Sequence, residues 1–240
     1  MTKLSQAIAL ATVMTAGLVG TTTTQAEVSA SAGVASSYLW RGQNLSNGAA
    51  VVSGSLDYGH ESGAYAGAWV SSGDAALGTE YDLYVGFSGE AGDLSYDVGY
   101  VGYIYPSQSE EAAAEFNKAN AVAIAAGDED SQGTADELGN VSDLYLNLSF
   151  AGVDFTTNFS DNGGDYVYNT LGYGMGAVSG LIGVNTDLEE DGKGAYTHIN
   201  LSYAHNDNLS FTVSKMVAQS SGTSAASPEF VVSYSLPIEL

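Results

Sequence analysis

Alternation of polar and apolar residues between positions 36 and 106 constrains the fold more than any other feature of this sequence. In the clearest run, 93–105, apolar and polar residues occupy opposite parities. The apolar set is Leu94, Tyr96, Val98, Tyr100 and Ile104, and the polar set is Ser95, Asp97 and Gly99. The alternation breaks at Gly, Asn, Asp and Ser, which favour turns. This pattern predicts consecutive antiparallel strands joined by turns.

The same pattern continues to the end of the chain and predicts about twelve strands. They span 28–41, 50–59, 64–72, 79–89, 93–105, 141–151, 153–160, 165–176, 178–187, 195–205, 208–218 and 228–237. Most have the length that a tilted strand needs to cross a bilayer, which is about 9–11 residues.

The predicted connections alternate in character along the chain. Longer or more polar ones, such as 42–49, 73–78 and 106–140, follow odd-numbered strands, and tight ones follow even-numbered strands. Membrane barrels have short turns at one end and longer loops at the other. The parity therefore indicates an all-β fold, an antiparallel up-and-down transmembrane β-barrel. A soluble β-sandwich, whose apolar faces pack together, is the alternative.

Positions 1–26 have the pattern of a signal peptide, with Lys3, an apolar run over 7–20 and Ala26 before the predicted cleavage point. The apolar run is shorter than the roughly 20 residues of a spanning helix, so a retained anchor is the weaker alternative. We expect export and a mature barrel over 27–240.

Charge and composition narrow the function. The net charge of −23 would repel phosphates and argues against nucleic acid as a partner. The absence of cysteine excludes disulfides, thiolate metal sites and a Cys nucleophile. Asp128 begins a calcium-loop pattern, but Gly139 stands where the bidentate Glu belongs. We expect no cofactor and no catalytic or metal site, with weak calcium binding by acidic loops left open.

The segment 107–140 departs from the strand pattern. Ser109 and an acidic first turn predict a helix, and Gly127 suits its end. We expect a helical insertion in one long external loop, which either narrows a pore or lies on the surface.

Tyrosine and tryptophan residues fall at predicted strand ends. Tyr38 and Trp40 end the first strand, Tyr58 the second, and Tyr103 and Tyr105 the fifth. Such residues form interfacial girdles in membrane barrels. Ordinary cross-strand aromatic pairing explains the same positions equally well.

Candidate pore-lining residues are the charged residues on the polar faces of the predicted strands. They are Arg41, Asp57, Glu80, Asp82, Asp97, Asp143 and His198. Arg41 is the sole arginine, and a lone cation among carboxylates would shape a constriction with cation preference. Alternatively, it pairs with one Asp in a structural role. A barrel lipid hydrolase using His198 and a nearby Ser is a weaker alternative.

Several blocks in 28–106 resemble the TorF-type family of porins. They are SYLWRG at 37–42, LDYGHESGAYAGAW at 56–69, YDLYVG at 81–86, LSYDVGY at 94–100 and Tyr105-Pro106. The remaining strands match in layout more than in residues. The insertion is longer than the family's usual loop, and the chain ends at Leu240 without the terminal aromatic residue typical of outer-membrane barrels.

The resemblance implies a proteobacterial outer-membrane β-barrel and carries no catalytic residues. We expect passive diffusion of small hydrophilic solutes or ions, with cations preferred. The expected partners are outer-membrane lipid and lipopolysaccharide. A non-conducting structural or adhesion-type barrel is the alternative.

Overall fold

The computed structural model describes residues 27–106, 140–162, 166–188, 194–220, 227–238 and 240. The predicted signal peptide lies outside these ranges. Residues 107–139 of the predicted insertion, which include Gly139 of the calcium-loop pattern, lie outside them as well. The helix in that insertion therefore stays a prediction. Within the described ranges, no helix is long and apolar enough to cross a membrane.

Twelve antiparallel strands close into one barrel. They are β1 (Glu27–Ala35), β4 (Val51–Gly59), β5 (Ala64–Asp74), β6 (Gly78–Ala91), β7 (Leu94–Ile104), β8 (Asn140–Phe150), β9 (Val153–Asn162), β10 (Tyr166–Met175), β11 (Val178–Asp187), β12 (Tyr196–Ala204), β13 (Leu209–Gln219) and β14 (Glu229–Ile238). Each strand pairs with its sequence neighbours, and β1 pairs with both β4 and β14. The predicted up-and-down barrel is confirmed.

The two rims of the barrel differ less in connection length than predicted. We call the rim with the turns at 60–63, 92–93 and 151–152 the tight-turn end, and the opposite rim the long-loop end. The connection between β5 and β6 lies at the long-loop end but contains only residues 75–77. Asp74 closes it by accepting hydrogen bonds from the backbone N–H groups of Ala76 (2.6 Å) and Leu77 (2.8 Å). The prediction of a longer loop over 73–78 is therefore wrong.

The segment 36–50, which we call the inserted segment, folds into the barrel instead of extending β1. It contains a small hairpin of β2 (Leu39–Trp40) and β3 (Gln43–Asn44). Arg41 (φ 48°) and Gly42 (φ 81°) form its tip, and such left-handed pairs suit tight hairpin turns. The predicted strand over 28–41 is therefore wrong beyond Ala35. Its alternation continues because β2 also alternates between its two faces.

Ser46 holds the inserted segment in shape. Its hydroxyl accepts a hydrogen bond from the backbone N–H of Tyr38 (2.8 Å) and donates one to the carbonyl of Ala49 (2.7 Å). The backbone of Leu45 donates to the carbonyl of Tyr38 (2.8 Å), and Tyr38 is only 1% exposed. The segment is therefore an ordered part of the barrel interior.

The barrel is polar inside and apolar outside. Exposed outward-facing residues include Leu56, Leu83, Val85, Phe87, Leu144, Ile182, Ile199 and Leu201. Buried polar residues include Ser71, Glu80, Asp82, Asp143, His198, Asn200, Ser202 and Ser214. A soluble protein buries its apolar face, whereas a membrane barrel presents it to lipid. The sandwich alternative is therefore wrong, because one sheet closes on itself with its polar face inside.

The girdle interpretation fails for most of the aromatic residues considered. Tyr38, Tyr103 and Tyr105 are buried, and the ring of Trp40 lies 6.3 Å from the ring of Tyr103, edge on. Tyr103 has the parity of the inward-facing residues of β7, which explains its position. Tyr58 is exposed on the outer face, as a girdle residue would be.

Candidate functional site: the lumen below the inserted segment

Glycines opposite tyrosines shape the inner wall. Tyr65 pairs in register with Gly86, and Gly67 pairs with Tyr84. At both glycines an added Cβ would collide with the facing tyrosine ring. Without a Cβ at these positions, the rings lie along the wall instead of standing across the lumen. This arrangement leaves open space in the middle of the barrel.

Asp97 is held by hydrogen bonds on the tight-turn half of the wall. Its carboxylate accepts from the hydroxyl of Tyr65 (2.5 Å) and the amide of Asn147 (3.0 Å). The hydroxyl of Tyr65 also lies 2.5 Å from that of Tyr145. These bonds fix the orientation of an inward-facing carboxylate.

Asp57 is held in a similar way on β4. It accepts hydrogen bonds from the hydroxyls of Ser55 (2.8 Å) and Tyr84. Fixed carboxylates that face a lumen act on passing ions through their local field. Asp57 and Asp97 therefore give this half of the lumen a negative character.

Arg41 joins the inserted segment to the far wall. Its guanidinium forms an ion pair with Asp143 and donates to the hydroxyl of Tyr166 (2.9 Å). The side chain of Arg41 is 8% exposed and that of Asp143 is 0% exposed, so the pair is dry. The guanidinium carbon also lies 4.3 Å from the ring centroid of Trp40 and 4.8 Å from that of Tyr168. Arg41 was expected near the end of the first strand, and the structure instead places it at the hairpin tip.

Other contacts tie the inserted segment to strands around the barrel. The hydroxyl of Tyr38 donates to Glu80 on β6 (2.6 Å). The side-chain amide of Gln43 donates to the hydroxyl of Tyr196 on β12 (3.0 Å). The side-chain amide of Asn44 donates to Glu229 on β14 (3.0 Å). The segment is therefore fixed from several sides and lies across the interior.

His198 supports the hairpin tip from below. Its ring nitrogens lie 2.8 Å from the hydroxyl of Tyr168 and 3.0 Å from the amide oxygen of Asn200. A Cβ added to Gly42 would collide with the His198 ring, so the tip packs directly on it. His198 is fully buried inside the barrel, where lipid on the outer face does not reach it. This position gives no support to the lipid hydrolase alternative.

A cavity of about 930 Å³ occupies the lumen below the inserted segment. It extends from the hairpin to the tight-turn end, where Asp93 and Gly152 line it. Among the predicted site residues, the cavity is lined by Arg41, Asp57, Asp82, Asp97 and His198. Glu80 and Asp143 instead contact the inserted segment directly. All seven lie inside the barrel. The division into residues that line the cavity and residues that only contact the inserted segment was not predicted from the sequence.

Aromatic side chains that were not among the predicted site residues contribute to the cavity wall. Tyr38, Trp69, Tyr103 and Tyr168 all line it. For Trp69, Tyr103 and Tyr168, parity on the polar faces was the available signal, since an aromatic residue on that face must point inwards. Tyr38 has the opposite parity to Arg41 in the predicted first strand, so this signal did not apply to it. In the part of the chain that the structure describes, no group of three or more His, Cys, Asp or Glu residues could hold a metal ion.

Fold and lumen together define a transmembrane-type β-barrel with a hydrophilic interior. A family model described as "Bacterial protein of unknown function (Gcw_chp)" matches residues 20–187. The chain belongs to this family, and the match includes all seven predicted site residues except His198. A search of curated proteins found no match.

Solved structures with a similar fold include several porins. A KdgM porin in complex with disordered oligogalacturonate is 7% identical, with a TM-score of 0.48, 89% of this chain covered and 99% of that one. A NanC porin is 8% identical, with a TM-score of 0.43 and coverage of 89% and 100%. The outer membrane protein opdK from Pseudomonas aeruginosa is 11% identical, with a TM-score of 0.40 and coverage of 88% and 61%.

Proposed function

We propose that this protein is an outer-membrane channel through which small hydrophilic solutes or ions diffuse passively, with cations preferred. The observation that carries the proposal is the inverted distribution of side chains, apolar outside and polar inside. An apolar outer face is favourable only in contact with lipid, and a polar interior only in contact with water or polar solutes. The cavity that this interior encloses gives such solutes a path.

The location follows from the same argument. A closed barrel satisfies every backbone hydrogen bond between its strands, which is the requirement for spanning a membrane without helices. The predicted signal peptide supplies export, and its cleavage after Ala26 would leave the chain beginning at β1. The resemblance of residues 28–106 to TorF-type porins favours the same location.

The cation preference rests on unbalanced charge in the lumen. Asp57, Asp97 and Asp154 line the cavity, and Glu90 and Asp93 line it near the tight-turn end. Among the described residues that line it, Arg41 is the one basic side chain besides His198, and Asp143 already pairs with it. The remaining negative field would attract cations and repel anions.

A second candidate function has its own observation. The inserted segment crosses the interior and is tied to strands on several sides, which favours a barrel that is closed at the long-loop end. Such a barrel would be structural or adhesive and would present its loops to lipopolysaccharide or a partner.

Ion conductance separates the two candidates. Residues 27–240 would be refolded and inserted into a planar bilayer under a KCl gradient. The channel predicts discrete current steps and a cation-selective reversal potential, with selectivity reduced in the variant Asp57→Asn/Asp97→Asn. Asp207→Asn, in the exposed turn after β12, is the matched control and should leave selectivity unchanged.

A folded barrel that gives no current steps would refute the proposal of an open channel. The variants Arg41→Ala and Gly42→Ala, which loosen the inserted segment, would then be measured. Current appearing in them would identify a channel closed by this segment. Continued absence of current would leave the structural barrel.

A further inference from the structure

Asp82 shares a side-chain hydrogen bond with Glu80 on the lumen wall, but only one of its two oxygens is bonded. Its side chain is 3% exposed and belongs to the cavity lining, yet its Oδ1 has no hydrogen-bond partner among the described residues. Asp57 and Asp97, on the same lumen wall, each accept two hydrogen bonds from side chains. A buried carboxylate oxygen without a donor is costly, so an unpaired one calls for a specific explanation.

Aromatic side chains flank Asp82 in the sheet. The register places Trp69 of β5 opposite Asp82 on one side and Tyr103 of β7 opposite it on the other. The inserted segment adds Tyr38, whose ring lies 6.3 Å from that of Trp69, and Trp40, whose ring lies 6.3 Å from that of Tyr103. All five side chains line the end of the cavity that the inserted segment closes. We call them the aromatic cage.

We propose that the aromatic cage binds a small organic cation, such as a solute with a quaternary or primary ammonium group, that enters through the lumen. Asp82 and Glu80, whose side chains share a hydrogen bond, would together supply the opposite charge, and the ring faces attract cations through their quadrupoles. At one ring of the cage, the guanidinium of Arg41 already lies 4.3 Å from the centroid of Trp40. The proposal rests on the proposed function, since the cation reaches the cage through the barrel.

An inorganic divalent ion fits the cage poorly. Calcium takes about 6–8 oxygen ligands, and magnesium needs an octahedral set. The cage offers one carboxylate oxygen without a hydrogen bond, and the described residues contain no group of three or more His, Cys, Asp or Glu side chains that could hold a metal ion. Aromatic faces favour a weakly hydrated organic cation over a strongly hydrated metal ion.

Tryptophan fluorescence reports on this cage directly. The chain has two tryptophans, Trp40 and Trp69, and both belong to the cage. Residues 27–240 folded in detergent micelles would be titrated with tetramethylammonium chloride, with KCl replaced to hold ionic strength constant. We expect a saturable change in emission. In Asp82→Asn the dissociation constant should rise at least tenfold. Asp207→Asn, in the exposed turn after β12, is the control and should stay within twofold of the wild type.

A second variant protects the test against a folding defect. Circular dichroism and the heat-dependent shift in gel mobility check that each variant folds. If Asp82→Asn does not fold, Tyr103→Leu should raise the dissociation constant at least threefold. The proposal would be overturned if emission from the folded wild type showed no saturable change with tetramethylammonium, or if the dissociation constant were unchanged in folded Asp82→Asn. It would also be overturned if KCl alone produced the same change in emission as tetramethylammonium chloride.

The fluorescence assay needs no ion flow, so its result is independent of the conductance measurement. Binding without conductance keeps the site and removes the open channel. Conductance without binding keeps the channel and removes the site.

Discussion

Removing Arg41 should expose how strongly the inserted segment is held. In Arg41→Ala the carboxylate of Asp143 loses its ion pair while staying in a position that is 0% exposed. Breaking a buried pair in this way costs about 3–5 kcal/mol, because the remaining charge is left uncompensated. Asp143 keeps one hydrogen bond, from the hydroxyl of Tyr103 at 3.1 Å. We therefore expect the lower end, a loss of about 3 kcal/mol in the free energy of unfolding.

Removing the other member of the ion pair should lower the free energy of unfolding by a similar amount. Asp143→Asn leaves the guanidinium of Arg41 with the hydroxyl of Tyr166 and the rings of Trp40 and Tyr168 as partners. The double variant contains neither charge, so its loss should fall short of the sum of the single losses by about 2 kcal/mol, within the range for contacting residues.

Equilibrium urea unfolding in phospholipid vesicles, followed by circular dichroism, measures these four proteins. Limited proteolysis at 36–50 gives an independent readout of whether the inserted segment has left the lumen. Single losses below about 0.5 kcal/mol, the level of ordinary surface substitutions, would refute a buried pair. Strictly additive losses would show that the two residues do not interact.

Further predictions concern the two faces and the wall. Leu83→Arg, at the middle of the outer face of β6, should cost about 2–4 kcal/mol in vesicles, whereas Val178→Arg at the tight-turn end of β11 should cost about 0–1; equal costs in urea unfolding would contradict a lipid-facing belt. Gly86→Ala should cost about 1–3 kcal/mol because its Cβ would meet the Tyr65 ring. The control Gly102→Ala has nothing within 4 Å and should stay within about 0.5 kcal/mol. Gly42→Ala should make 36–50 more sensitive to protease, since the new Cβ meets His198 and the φ of 81° is strained; an unchanged cleavage rate would count against the packed hairpin tip.

The barrel strands after the first were predictable because their signal is local. A two-residue period interrupted by turn residues needs no information from the rest of the chain, and the predicted bounds lie within two residues of those from β4 to β14. Parity also predicted which faces are polar, so six of the seven candidate residues were placed inside the barrel. Arg41 lies there too, but at the hairpin tip and not on the predicted first strand. The exposed apolar outer face agrees with that picture.

The inserted segment was not predictable from the same signal. Its alternation continues through Leu39 and Trp40, so periodicity alone extends the first strand to Arg41. What reverses the chain is the left-handed backbone at Arg41 and Gly42. What holds it inside are contacts to Glu80, Asp143 and residues further along, which sequence spacing does not reveal. Which charged residues contact the inserted segment and which line the cavity depends on how that segment folds.

Lipid contact along one strand tests the central claim most directly. The chain has no cysteine, so single cysteines at positions 81–87 of β6 can carry a fluorescent label in refolded vesicles. Quenching by nitroxide-labelled lipid should alternate, strong at the exposed positions 81, 83, 85 and 87 and weak at 82, 84 and 86. That result would establish an outer face in lipid and an inner face in a polar lumen. Uniformly weak quenching, or strong quenching at the even positions, would contradict the barrel as a membrane channel.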